Sequence, residues 1–206
     1  MARTKSLPNR AELIVEAARE LFSRYGYERT SIEDIAKHLS IGKGSVYLDF
    51  RAKEDILMRI LEGYVQRISA ATNELALHTS RSPLLILQDI FETSVLMVFE
   101  YATKDIHTPE ALLHTSAQAK TRFAEYFVRK RKLVTSLLER AAEAGEIDSK
   151  HATEEMALAL LMGTSPLYPP YLDNFSENMG RVTKDELEKR SRILVSVLIA
   201  GLRKAN

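Results

Sequence analysis

Two short runs with helical apolar spacing, Ile32-Ile35-Ala36-Leu39 and Val46-Tyr47-Phe50, are separated only by Ser40-Ile41-Gly42-Lys43-Gly44. Each run is about two turns long. Two short helices across so tight and glycine-rich a break make a helix-turn-helix. A phosphate-cradling loop would need G-x-x-x-x-G-K-[ST] after a strand, and Gly42-Lys43-Gly44-Ser45 has the wrong order for it.

The flanks extend this reading. From Asn9 onward Leu13, Ile14, Ala17, Ala18, Leu21, Phe22 and Tyr25 keep the three-to-four spacing of one helix face. Asn9 with Glu12 suits a capping box, and Gly26 stops the helix. A second capping pattern, Thr30-Ser31-Ile32-Glu33, opens the short helix. Beyond Lys53, the positions Ile56, Leu57, Ile60, Leu61, Tyr64, Val65, Ile68, Ala71 and Leu75 mark a long helix with Gly63 inside it. Pro83 suits the first turn of a helix from Leu84 to about Tyr101, and Pro109 starts a short one ending near His114. A long helix from Ala117 to Ala144 ends at Gly145, followed by helices over about Ala152 to Gly163 and Lys184 to Lys204. No β alternation and no repeat is present, so the expected fold is all-α.

Composition narrows the class. A hydrophobic fraction of 45% in 206 residues is enough to bury a real core. No apolar run approaches the ~20 residues of a membrane span, and the basic start, Met1 to Arg10, lacks the apolar segment of a secretory leader. No membrane partner is expected. Cysteine is absent, which excludes disulfides and thiolate metal sites and suits a cytoplasmic protein. The net charge of +1 says little, but Arg3, Lys5 and Arg10 all precede the first acid, Glu12, as a basic arm that reads as a solvated terminus.

A helix-turn-helix reads DNA by laying its second helix in the major groove. Gly42, Gly44 and Ser45 are small enough for the backbone to approach the sugar-phosphate wall, where a helix N-terminus attracts phosphate. Lys43 reaches a phosphate or a guanine edge, Tyr47 brings a hydroxyl on an aromatic stalk, and Lys53 clamps phosphate at the start of the next helix.

Residues 11 to 61, above all AARELFSRYGYERTSIEDIAKHLSIGKGSVYLDFRAKEDIL, resemble the N-terminal domain of TetR-family transcriptional regulators. The matching features are Ala-Ala-x-x-Leu-Phe in the first helix, Gly26-Tyr27, Thr30 before Ile35-Ala36, then Gly44-Ser45-Val46-Tyr47, Phe50 and Lys53. The resemblance implies a homodimeric DNA-binding protein, usually a repressor, on an inverted-repeat operator. A small molecule bound by its C-terminal domain would release the DNA. The domains are then residues 1–53, a three-helix helix-turn-helix DNA-binding domain, and 54–206, a larger helical ligand-binding and dimerisation domain. Carried over by position, Lys43, Gly44, Ser45, Tyr47, Leu48 and Asp49 face the groove, with Thr30 and Lys53 on phosphates. Leu48 is placed to touch a thymine methyl. A carboxylate at Asp49 is repelled by phosphate unless it accepts from a cytosine amino group or pairs with Arg51, and the Arg51 pair is favoured.

The C-terminal two thirds carry two runs that are apolar all round, Met156–Met162 and Ile193–Ala200. Such helices need cover on every side, and a two-fold interface between copies supplies it. A ligand cavity is expected among Phe91, Val95, Phe99, Leu112, Phe123, Tyr126, Phe127, Met162 and Tyr168, each of which also suits ordinary core, with His107, His114 and Gln118 as the polar minority. The loop Pro166–Phe175 lids that cavity or wraps the partner subunit. Arg129-Lys130-Arg131-Lys132 points in four directions on a helix and reads as solvated surface. The five histidines show no i, i+4 pair, no nucleophile-and-base constellation stands out, and neither a metal, a cofactor nor an enzyme is expected. The rival reading keeps the DNA-binding dimer and replaces the ligand with a recruited protein.

Overall fold

The computed structural model describes residues 9–103, 116–168 and 182–204. Among them are nine α-helices: α1 Arg10–Tyr25, α2 Ile32–His38, α3 Lys43–Tyr47, α4 Lys53–Ala76, α5 Pro83–Tyr101, α6 Ser116–Arg122, α7 Ala124–Glu143, α8 Glu154–Gly163 and α9 Lys184–Leu202. No strand occurs among the described residues, as the all-α reading requires. The chain divides into two compact units, Met1–Gly63 with Tyr101–Ser116 and Tyr64–Glu100 with Ala117–Asn206.

In the first unit the local signals act much as their chemistry dictates. The Asn9 carboxamide accepts from the Ala11 N–H, and the Glu12 carboxylate accepts from the Asn9 N–H at 3.3 Å, which completes the capping box of α1. Gly26 ends α1 at φ +85°, a conformation that strains any residue with a Cβ. Ile14, Ala17, Ala18 and Phe22 are buried, whereas Leu13 and Tyr25 flank the stripe and stay largely exposed.

The second cap lies one residue later than the sequence pattern placed it. Ser31 is the N-cap of α2: its hydroxyl accepts from the Asp34 N–H at 3.1 Å, and the Asp34 carboxylate accepts from the Ser31 N–H at 2.8 Å. Thr30 is unavailable for capping because its buried hydroxyl donates to the Gly26 carbonyl at 2.9 Å. The turn into α3 is made by Ser40, at φ +55° the one non-glycine residue with positive φ among the described residues. Gly42 takes the N-cap of α3 in an extended conformation, φ −70° and ψ 143°.

Lys53 opens α4 and ties it back to the loop between α1 and α2. Its ammonium donates to the carbonyls of Tyr27 at 2.8 Å and Thr30 at 3.0 Å and lies 4.1 Å from the centroid of the Tyr27 ring. That ring meets Phe22 edge-on, with centroids 5.1 Å apart.

The second unit packs α5, α7, α8 and α9 around Leu84, Ile86, Leu87, Ile90, Phe91, Val134, Leu137, Leu138, Leu160, Val195 and Ile199. The single helix expected from Ala117 to Ala144 is two, α6 and α7, interrupted at the buried Phe123, whose backbone leaves helical values at φ −104° and ψ 16°. At the other end of α7 the Gly145 N–H meets the Ala142 carbonyl at 3.0 Å and the Glu146 N–H meets Ala141 at 2.8 Å, a Schellman ending with Gly145 at φ +73°. The Glu146 carboxylate then accepts from the Ser82 hydroxyl at 2.9 Å and the Leu84 N–H at 3.1 Å, capping the start of α5, while its carbonyl accepts from the Lys204 N–H at 3.3 Å. Arg140 donates to the Ala76 carbonyl at 2.9 Å and closes the end of α4.

Lys53→Met keeps the apolar stem but removes the donor to both carbonyls. Urea unfolding followed by circular dichroism is expected to show a loss of about 1–3 kcal/mol; an unchanged midpoint would exclude the stapling role.

Candidate nucleic-acid interface

The five residues of α3 place a single side chain, Val46, in the core, at 0% exposure. Of the other residues on this helix Ser45 is half-buried, and Lys43, Gly44 and Tyr47 are exposed. Tyr47 is 47% exposed and Leu48, just past the helix end, 75%. The Lys43 ammonium lies 3.3 Å from the Glu33 carboxylate in an exposed ion pair, which is worth little in water and is easily exchanged for another anion. A methyl group added at Gly42 or Gly44 would meet nothing within 4 Å, and neither residue has positive φ. Nothing inside the chain therefore demands glycine at either position.

Asp49 does not pair with Arg51. Its carboxylate accepts from the Arg10 guanidinium at 2.6 Å, linking the end of the helix-turn-helix to the start of α1. Arg51 lies beyond the turn, where its N–H and that of Ala52 each donate to the Asp55 carboxylate at 3.1 Å. The Arg10 hydrogen bond holds the Asp49 carboxyl below the usual carboxylate range. A lowered folded-state pKa means the pair contributes at neutral pH and is lost as pH falls through that value.

Two other expected contacts are arranged differently from the sequence expectation. Thr30 is buried, with its hydroxyl turned inward onto Gly26 rather than presented to a phosphate. Lys53 already holds two carbonyls, although an ammonium has three donors and one remains for an outside acceptor. An open groove of about 530 Å³ beside Thr30 is lined by Leu21, Tyr25, the acidic Asp34 and the basic Arg24, Arg29, Lys37 and His38, a surface that the sequence motif did not reveal.

The expected ligand residues fall into separate surroundings. Phe91 belongs to the larger core, whereas Val95 and Phe99 cluster with Leu167, Val182 and Leu187, and Tyr168 packs against them. Phe123 is buried and Tyr126 half-buried. Phe127 and Met162 are 52% and 64% exposed, so neither lines the interior of a single chain. His107, Leu112, His114 and most of the loop Pro166–Phe175 lie outside the described residues, as does the Gln118 side chain. A residue not expected is Lys130, which the sequence assigned to solvent and the fold turns toward Tyr126 and Tyr168.

Helices α1 to α3, with Lys43 and Tyr47 exposed on α3 and Leu48 exposed just past its end, form a helix-turn-helix. Residues 14–60 match the family model for bacterial regulatory proteins of the tetR family. The chain is 27% identical over 179 residues to the HTH-type transcriptional regulator YezE of Bacillus subtilis, covering 82% of this chain and 89% of that one. It is 28% identical over 137 residues to the HTH-type transcriptional repressor KstR2 of Mycobacterium tuberculosis, covering 66% and 68%. Among solved structures, a TetR/AcrR-family regulator from Thermobifida fusca superposes with a TM-score of 0.68 at 21% identity, over 96% of this chain and all of that one. The KstR2 structure does so at 0.61 and 18%, over 99% and 100%. Residues 14–60 thus carry the DNA-binding domain of the tetR family, and the chain as a whole is similar to helix-turn-helix transcriptional regulators. Among the described residues no helix is long and apolar enough to cross a membrane.

Asp49→Asn removes the carboxylate that holds Arg10 and frees the guanidinium. Binding to non-specific duplex is expected to tighten a few-fold at low salt, with a steeper salt dependence, because one more cation is available to phosphate; fluorescence anisotropy across a salt series measures both.

Proposed function

We propose that this protein is a homodimeric repressor that holds an inverted-repeat operator through α3 and releases it when a small, largely apolar ligand binds the unit built from α5 to α9. The observation that carries the DNA reading is the open space around Gly42 and Gly44 beside the exposed Tyr47 and Leu48. Glycines that the fold itself does not need are explained by a surface that must come within backbone distance, and a duplex groove is such a surface. In this reading residues 1–53 make the DNA contacts: Lys43, Ser45, Tyr47 and Leu48 meet base edges or the groove wall, and the third donor of Lys53 takes a phosphate. Residues 54–206 provide ligand binding and dimerisation. That a similar protein, KstR2, is named a repressor supports the sign of regulation.

The dimer reading has its own support. Leu158 and Met162 sit one turn apart on α8 at 44% and 64% exposure, and Ile193 and Val197 one turn apart on α9 at 55% and 63%. The two helices meet at Gly163, where a methyl group in place of its hydrogen would lie 3.6 and 3.7 Å from the two Leu198 methyls. Exposed apolar residues at regular spacing on two adjoining helices are the pattern of a surface covered by a second copy. One short recognition helix also contacts few bases, so two are needed for tight, specific binding.

Lys43→Ala and Tyr47→Ala are each expected to narrow the gap between specific and non-specific affinity by roughly 1–3 kcal/mol. Footprinting should show two inverted half-sites about one helical turn apart, and protection of a single asymmetric half-site would contradict the dimer.

Val197→Glu places a carboxylate in the shared apolar face at a cost of several kcal/mol if that face is buried between copies. Sedimentation equilibrium is expected to show folded monomers, and a variant that stays dimeric would move the interface elsewhere. Leu194 and Leu198 are poorer probes, since both are partly buried in the chain's own clusters.

A further inference from the structure

Within Arg129-Lys130-Arg131-Lys132 the four side chains have different fates. Arg129 pairs with Glu125 at 3.0 Å and Arg131 lies 3.7 Å from Glu154. Lys132 is exposed. Lys130 is turned inward with no carboxylate partner among the described residues, and burial brings the pKa of its ammonium down to about 8. What surrounds it is aromatic. The ammonium donates weakly to the Tyr168 hydroxyl at 3.5 Å and lies 5.5 Å from the centroid of that ring and 6.0 Å from that of Tyr126.

Three hydroxyls lie around the same place. Burial raises the Tyr168 phenol well above its ordinary pKa, and the Tyr126 phenol rises to about 12 for the same reason. Ser94 is fully buried, and its only polar neighbour among the described residues is the Tyr168 hydroxyl, which it meets in at best a poorly aligned contact. The wall behind them is apolar, formed by Val95, Phe99 and Leu167.

A cation drawn out of water without an anion costs stability, and a buried hydroxyl that is poorly satisfied adds a smaller cost. Interiors rarely keep both in one place unless something else completes them. We propose that this cluster binds an organic acid. Its carboxylate accepts from the Lys130 ammonium and from the Tyr168 and Ser94 hydroxyls, and its apolar body lies against Val95 and Phe99. The inference names the chemical class of the ligand and rests on reading the second unit as the ligand-binding domain.

The test uses the full-length protein and two pairs of probes, decanoate with decanol and phenylpropanoate with phenylpropanol, titrated by calorimetry. Wild type is expected to bind at least one acid roughly tenfold or more tightly than its alcohol, the difference made by a charge-assisted contact. Lys130→Met should erase that preference and Lys130→Arg should keep part of it. A second readout needs no ligand: unliganded Lys130→Met should melt at a higher temperature than wild type, because an uncompensated charge has been removed. Binding of neither acid, equal binding of acid and alcohol by wild type, or a Lys130→Met variant that melts lower with the preference intact would each overturn the proposal. Operator DNA titrated in parallel keeps the two readings apart. An acid that binds through Lys130 without weakening the operator complex leaves this site standing and removes ligand-controlled release. Release by an alcohol alone leaves control by ligand intact and removes the role of Lys130.

Discussion

The presentation of α3 hangs on Val46. A five-residue helix has too few backbone hydrogen bonds to persist alone, and this one has a single side chain in the core to hold it. Phe50, 8% exposed, pins the chain again just after the helix. Between these two anchors Tyr47, Leu48 and Asp49 have no choice of direction. The specificity of the outward face is thus set by an aliphatic contact on the inward one, and the hydrogen bonds of Lys53 to Tyr27 and Thr30 hold the next helix to the same small body.

Electrostatics around this face are arranged so that cations are held loosely. Lys43 and Arg10 both sit in exposed ion pairs with Glu33 and Asp49. Pairs of this kind are nearly neutral in energy, so the side chains are oriented without being committed. A polyanion arriving at the surface competes on equal terms with two carboxylates, and the entropy of ordering those long side chains has already been spent in part.

Signals confined to a few neighbouring residues were legible in the sequence. The Asn9 and Glu12 box, the stop at Gly26, Pro83 at the head of α5 and the ending at Gly145 all depend on partners within about one turn. The frame of the second cap was not legible, because it turns on whether Thr30 or Ser31 is free, and that is decided by the Gly26 carbonyl. The Arg10 partner of Asp49 is 39 residues away, a distance that no local pattern reports. Lys130 was missed for a third reason. Successive helical residues point about 100° apart, so a run of four basic residues always includes one that faces whatever lies inside, and periodicity names it only once the buried side of α7 is known. Phe123 breaks what the apolar spacing read as one continuous helix, since spacing records which side is buried and not whether the backbone is regular.

Glu146 has a consequence of another kind. Its side chain joins the start of α5, residues 62 and 64 positions back along the chain, while its carbonyl holds the strand-like tail after α9 and its amide ends α7. Three helix ends that would otherwise fray independently are bound to one residue. Closing such a junction requires long stretches of chain to be in place first, and the loop entropy is spent before the bonds return it. The junction therefore belongs to the last steps of assembly, and amide protons at all three ends should exchange with solvent together, as one opening event.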